Sequence, residues 1–161
     1  MKKKVQVYLG SIVLGLNDAL VELTGALAGL TLALPDTKII AIAGLITGIA
    51  ASMSMAASEY LSIQAEHNGK NSITAALYTG FAYILTVIFL IFPYFILTNV
   101  YYSLIWALVN AVIVIFTFTY TATKINKSSF AHKFFEMIII SFTVALISFG
   151  IGYFIRIFFG I

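Results

Sequence analysis

The chain has 161 residues, of which 61% are hydrophobic and only 9% are charged, and its formal net charge is +3. This composition, with a mean hydropathy of +1.06, is not that of a soluble domain. The length accommodates about five apolar segments of about 20 to 25 residues each, so we expect an integral membrane protein with five spanning helices. Cysteine is absent, which excludes disulfides, thiolate metal sites and cysteine nucleophiles.

Turn-forming and polar residues divide the chain into long apolar stretches, and none of these shows the alternation of a membrane β-strand. The breaks fall at residues 35–38, 67–72, 98–99 and 124–129. The sequence therefore predicts an all-α fold in one transmembrane domain, residues 1–161. The predicted helices are residues 8–34, 39–66, 73–97, 101–124 and 131–159.

Basic residues predict the orientation of these helices, because loops that stay in the cytoplasm carry an excess of lysine and arginine. Seven lysines fall on the amino-terminal side of the membrane: Lys2, Lys3, Lys4, Lys70, Lys124, Lys127 and Lys133. Only Lys38 and Arg156 fall on the other side. We therefore expect a cytoplasmic N-terminus and a C-terminus outside. The first apolar stretch resembles a secretory signal but is too long and contains acids, so we interpret it as an anchored helix.

Acidic residues occupy the middle of the first two predicted helices. Asp18 lies about 15 Å from the start of helix 1, and Glu22 follows one turn later. Glu59 and Met55 lie about 10 and 16 Å from the end of helix 2. The two members of each pair share a helix face because they are four residues apart. Since helices 1 and 2 run antiparallel, we expect all four side chains at similar depth.

An ionised carboxylate near the bilayer centre costs about 2.5–3.5 kcal/mol, so three of them require compensation. None of the lysines and arginines falls at that depth in any predicted helix. The compensation must come from protons, from a bound cation, or from both. One interpretation is that each acid is simply protonated and hydrogen-bonded to a neighbouring helix. Three acids at matched depth favour the other interpretation, in which they line a path for a cation.

The mixture of oxygen and sulfur ligands narrows the identity of that cation. Carboxylates suit hard divalent ions, whereas the thioether of Met55 adds the soft character that favours transition metals. The set indicates Fe²⁺, with Mn²⁺ and Co²⁺ close behind. Cu(I) and Zn²⁺ fit less well, because no cysteine or histidine reaches that depth. Met55 alone would be weak evidence, since a methionine in a spanning helix usually serves packing.

Small residues recur every four positions on helices 1 and 2, where they let helix backbones approach closely in lipid. They are Gly25, Gly29, Gly44, Gly48 and Ser52. Packing within one chain and a dimer face are both compatible with this pattern. A homodimer that brings helices 1 and 2 of both copies together would supply six acids, and one five-helix chain is narrow for a path of its own.

Two segments resemble the vacuolar iron transporter family. Residues 54–62, SMAASEYLS, closely resemble that family's S-M-A-x-x-E-Y-x-S signature in its second helix. Asn17-Asp18-Ala19-Leu20-Val21 is similar to its Asp-Gly-Leu-Val segment in the first helix. The resemblance implies a homodimer of five-helix chains that moves Fe²⁺, and often Mn²⁺, out of the cytosol in exchange for protons. By position, it also implies that Asp18, Met55 and Glu59 line the metal path between helices 1 and 2.

The chain departs from the family pattern in two places. Glu22 is an additional membrane acid, which predicts a different metal preference or proton stoichiometry. The plant-type members insert glutamate-rich cytoplasmic helices between helices 2 and 3, whereas only residues 67–72 connect these helices here. Glu66 and His67 could form a reduced capture site, or simply a polar helix end. His132 and Glu136 on helix 5 fit a hydrogen bond or salt bridge better than a metal site.

We therefore expect a proton-coupled exporter of Fe²⁺, Mn²⁺ or Co²⁺, with no permanently bound cofactor. The alternative is a membrane-anchored binding or storage module that serves a soluble ferritin-like partner without net transport. An enzyme is the least favoured class, because there is no cysteine, no membrane histidine and no phosphate-binding glycine loop. No basic patch indicates nucleic-acid binding. The short chain favours a prokaryotic plasma membrane, or a vacuolar membrane in a eukaryote.

Overall fold

The structure, a computed structural model, describes residues 7–66, 69–126 and 129–160. All regular structure in these ranges is helical, in five helices: α1 Leu9–Ala33, α2 Thr37–Glu66, α3 Ser72–Ile96, α4 Val100–Asn126 and α5 Phe130–Phe159. All five are long and apolar enough to cross a membrane, which confirms the predicted all-α class. Their bounds lie within two residues of the predicted ones. Lys2, Lys3, Lys4, His67 and Lys127 lie outside the described residues, and the orientation in the membrane stays a prediction.

Polar side chains in the short connections determine where three helices begin. Asp36 Oδ1 accepts hydrogen bonds from the N–H groups of Lys38 and Ile39 at 2.7 and 3.2 Å, so α2 begins at Thr37, earlier than predicted. Asn71 and Asn99 cap α3 and α4 in the same way. Each cap satisfies N–H groups that have no partner within their own helix.

Helix α1 is the centre of the bundle. It packs most extensively against α5 and α3, and it also contacts α2 and α4. Helix α2 packs along α3, and its remaining surface is largely open. The core is formed mainly by apolar side chains of α1, α3 and α4, among them the fully buried Leu20, Leu23, Tyr83 and Leu90. Large apolar side chains cover the outside of the bundle, as expected for a surface in contact with lipid.

Glycines permit the close contacts between these helices. A Cβ atom at Gly15 would collide with the backbone carbonyl of Thr79, and one at Gly152 would collide with that of Gly29. Gly25 faces Val144 and Ser148 of α5, while Gly44 and Gly48 face Ile91 and Val87 of α3. The glycines of helices 1 and 2 therefore pack inside the chain, which favours the first of the two explanations of their spacing.

Candidate metal path

Glu59 lies where α1, α2 and α3 meet. It is 8% exposed, and its Oε1 accepts a hydrogen bond of 2.6 Å from the hydroxyl of Ser11 on α1. The backbone carbonyl of Ser11 in turn accepts a hydrogen bond of 2.9 Å from Thr79 on α3. Helix α3 reaches this position because Gly15, one turn further along α1, leaves room for its backbone. The predicted path residue is thus held by a neutral donor at a three-helix junction.

Glu22 has a different neighbour on the same helix α3. The phenol of Tyr83, which is only 1% exposed, donates a hydrogen bond of 2.8 Å to Glu22 Oε2. Glu22 itself is exposed on the surface of the single chain. The additional acid is therefore held by a hydrogen bond from a buried tyrosine, while the rest of its side chain is exposed.

Asp18 faces α5 rather than α2. It lines an open groove of about 470 Å³ together with Asn17 of α1 and with Glu136 and Met137 of α5. A second groove of about 260 Å³ shares Asn17, Glu136 and Met137 and extends to Lys133 at the start of α5. Polar groups of α1 and α5 therefore connect the level of Asp18 with one end of the bundle.

Sequence reasoning missed the placement of Glu136. It paired this residue with His132 on the same helix, but both side chains are exposed and the structure records no hydrogen bond between them. The feature of the sequence that points to a role for Glu136 is that it is the only acid on helix 5. The rotation of α5 against α1, which turns Glu136 toward the Asp18 groove, depends on Gly29 and Gly152 and cannot be inferred from spacing within α5.

The four predicted ligands, which were expected at similar depth, are spread more widely along the bundle within one chain. Helices α1 and α2 run antiparallel, with Ser11 opposite Glu59 and Leu27 opposite Gly44. Counting residues between these two contacts places Ser52 of α2 at about the level of Asp18. At about 1.5 Å per residue, Glu59 lies about 10 Å from the level of Asp18. It is displaced toward the end that carries Lys70, Lys124 and Lys133, the lysine-rich end. The same count places Met55 about 4 Å from Asp18 toward the lysine-rich end, and Glu22 about 6 Å from Asp18 in the opposite direction.

The wider spread in depth results from the relative positions of the ends of α1 and α2. The depths predicted from the sequence assume helices that end at the same level, but the contact between Ser11 and Glu59 shows that α2 extends beyond α1 at the lysine-rich end. The acids thus form a series of levels along the bundle: Glu59, then Asp18, then Glu22.

The remaining candidates, Met55 and Glu66, differ in their surroundings. Met55 is half-buried and packs against the core, whereas Met53 is 69% exposed. Glu66 is exposed at the end of α2, with the Ser62 hydroxyl 3.5 Å from its Oε1. The proposed pairing of Glu66 with His67 falls partly outside the described residues.

The described part of one chain does not bring together a complete set of metal ligands. In residues 7–66, 69–126 and 129–160, no three histidine, aspartate or glutamate side chains come together as a metal-binding group. No described lysine or arginine pairs with Asp18, Glu22 or Glu59. The donors that reach Glu59 and Glu22 are the neutral hydroxyls of Ser11 and Tyr83. The negative charges therefore have no counter-charge within the described part of the chain.

Five helices long and apolar enough to span a membrane, with carboxylates on α1 and α2 that pair with no described lysine or arginine, indicate a membrane protein that handles ions. A sequence model of the VIT family, the vacuolar iron transporters, matches residues 9–69 and 65–153, and the chain belongs to this family. Membership indicates metal-ion transport, and the family consists of transporters rather than enzymes. A comparison with curated proteins finds no match.

Proposed function

We propose that the chain exports Fe²⁺, with Mn²⁺ or Co²⁺ as related substrates, from the cytosol in exchange for protons. The path is lined by Asp18, Met55 and Glu59, with Glu22 as an additional acid. One observation carries the proposal: the membrane acids Glu59 and Glu22 are held by neutral hydroxyl groups and by no described basic residue. This arrangement orients carboxylates without neutralising them.

Uncompensated carboxylates explain why metal and protons would exchange. Each ionised acid in a bilayer costs about 2.5–3.5 kcal/mol, so the site is most stable when a cation or a proton occupies it. Neighbouring carboxylates also repel one another, which favours proton uptake when the metal leaves. Because both occupants compete for the same oxygens, a proton gradient can drive the metal in the opposite direction.

The exposed polar surface of α1 and α2 supports a homodimer. Glu22 of α1 is exposed, and so are Thr47, Ser54 and Ser58 of α2. Lipid provides no hydrogen-bonding partner for such groups, so they favour contact with protein or water. A second copy placed against this surface would cover these residues and add its own acids to the path. Since one chain has no complete ligand set among its described residues, the proposed metal path runs between the two copies.

The experiment that tests this function is Fe²⁺ uptake into sealed proteoliposomes, with and without an imposed proton gradient. The intact protein should show gradient-dependent uptake, and Asp18→Asn and Glu59→Gln should each abolish it while the protein remains folded. Asp36→Asn is the matched control, because Asp36 is an exposed carboxylate in the connection between α1 and α2. Stoichiometric metal binding without uptake would instead establish an anchored binding module.

A further inference from the structure

The geometry points to Ser11 as a positioning residue that orients the Glu59 carboxylate for the metal. The inference rests on the proposed function, because it assumes that the metal path passes Glu59. Nothing in the sequence pattern singles out Ser11, which lies seven residues before Asp18 and outside both segments that resemble the family signatures.

The hydrogen bond between Ser11 and Glu59 is short and buried. Ser11 is 3% exposed and Glu59 is 8% exposed, and the oxygen atoms are 2.6 Å apart. This distance lies in the normal range of an O–H···O hydrogen bond. In the part of the chain that the structure describes, Glu59 Oε2 receives no hydrogen bond. One carboxylate oxygen is thus fixed by Ser11, and the other is free to bind a cation.

The Ser11 hydroxyl differs from most other buried hydroxyls in the bundle. Those of Thr24, Ser52, Ser103 and Thr123 donate to a carbonyl of their own helix, which is the usual solution for such groups in a spanning helix. Ser11 instead donates to a side chain of another helix. A hydroxyl that only needed a partner could have used its own helix backbone, so its direction toward Glu59 points to a role at that carboxylate.

Helix α3 fixes the position of Ser11. The buried Thr79 donates a hydrogen bond of 2.9 Å to the Ser11 carbonyl, and Gly15 lets the Thr79 backbone lie against α1. The donor is therefore pre-organised by two contacts before the metal arrives. Groups that orient a ligating carboxylate in this way typically contribute about 10–100-fold to metal affinity.

The test uses purified full-length protein and Mn²⁺, whose binding can be followed by electron paramagnetic resonance. Ser11→Ala should weaken Mn²⁺ binding about 10–100-fold. In Fe²⁺ uptake, the same variant should raise KM and leave the maximal rate nearly unchanged. Ser11→Thr, which keeps the hydroxyl, should restore most of the affinity. Ser103→Ala is the matched control, because Ser103 is also buried but donates to the carbonyl of Asn99, and the variant should bind Mn²⁺ like the unmodified protein.

Unchanged Mn²⁺ affinity in Ser11→Ala, or an equal loss in Ser103→Ala, would overturn the inference. If Ser11→Ala does not fold, Thr79→Val provides the second test, since it keeps the side-chain shape and removes only the bond that holds Ser11. A weaker but parallel loss of Mn²⁺ affinity would support the inference, and an unchanged affinity would overturn it. Binding is measured apart from transport, so a protein whose Mn²⁺ affinity depends on Ser11 but which moves no metal would refute the transport proposal alone.

Discussion

The phenol of Tyr83 on α3 donates a hydrogen bond of 2.8 Å to the Glu22 carboxylate on α1. The tyrosine ring is buried in the core, whereas the carboxylate reaches the surface of the chain. The bond therefore connects the packed interior to the surface proposed for the dimer. It also gives the additional acid of this chain a partner that does not neutralise it.

Tyr83→Phe should destabilise the protein by about 1.5–3 kcal/mol, the usual contribution of a hydrogen bond to a charged group. Tyr94→Phe is the matched control. The Tyr94 hydroxyl lies 2.6 Å from Thr31 Oγ1, but both groups are neutral and Thr31 also bonds to the Leu27 carbonyl. This control should cost only about 0.5–1.5 kcal/mol. Thermal unfolding in detergent compares the two variants, and equal losses would show that Glu22 is not held as an ion.

Glu22→Gln separates the charge of this residue from its hydrogen bond. The amide oxygen can still accept from Tyr83, so we expect thermal stability close to that of the unmodified protein. Loss of the charge should lower the number of protons exchanged per metal ion in proteoliposomes. An unchanged proton-to-metal ratio would mean that Glu22 takes no part in coupling.

Gly15→Ala should separate α1 from α3. The added methyl group would meet the Thr79 carbonyl, a backbone atom that cannot move aside, and such overpacking typically costs about 1–3 kcal/mol. Gly150→Ala is the control on α5, where a Cβ atom would have no neighbour within 4 Å. It should leave the unfolding temperature unchanged or slightly raised. A Gly15→Ala protein as stable as Gly150→Ala would contradict the close packing of α1 and α3.

Met55→Leu should change metal preference more than total transport. The substitution conserves volume and costs little in packing, but it removes the only soft ligand proposed for the path. We expect Fe²⁺ and Co²⁺ uptake to fall several-fold relative to Mn²⁺ in competition experiments. Met53→Leu should leave the ratio unchanged, because Met53 is not among the proposed ligands and lies largely exposed, two residues away. An equal effect of both substitutions would assign Met55 to packing alone.

Much of the candidate path could be predicted because local sequence sets it. The i, i+4 spacing of Asp18 with Glu22, and of Met55 with Glu59, requires only that these segments be helical. The partners of the acids could not be predicted in this way. Ser11 is 48 residues from Glu59 in sequence, and Tyr83 is 61 residues from Glu22, so both contacts depend on how separate helices are rotated and aligned.

The sequence by itself determined the five helices and their approximate ends, because a long apolar stretch in a bilayer must satisfy its backbone within a helix and because turn residues interrupt each stretch. It also determined that carboxylates lie within α1 and α2. Only the tertiary structure decided that Glu59 bonds to Ser11, that Asp18 shares a groove with Glu136, and how far apart the acids lie along the bundle. The physical reason is that glycine contacts and the overhang of α2 set the relative positions of the helices, and these are properties of pairs of distant segments.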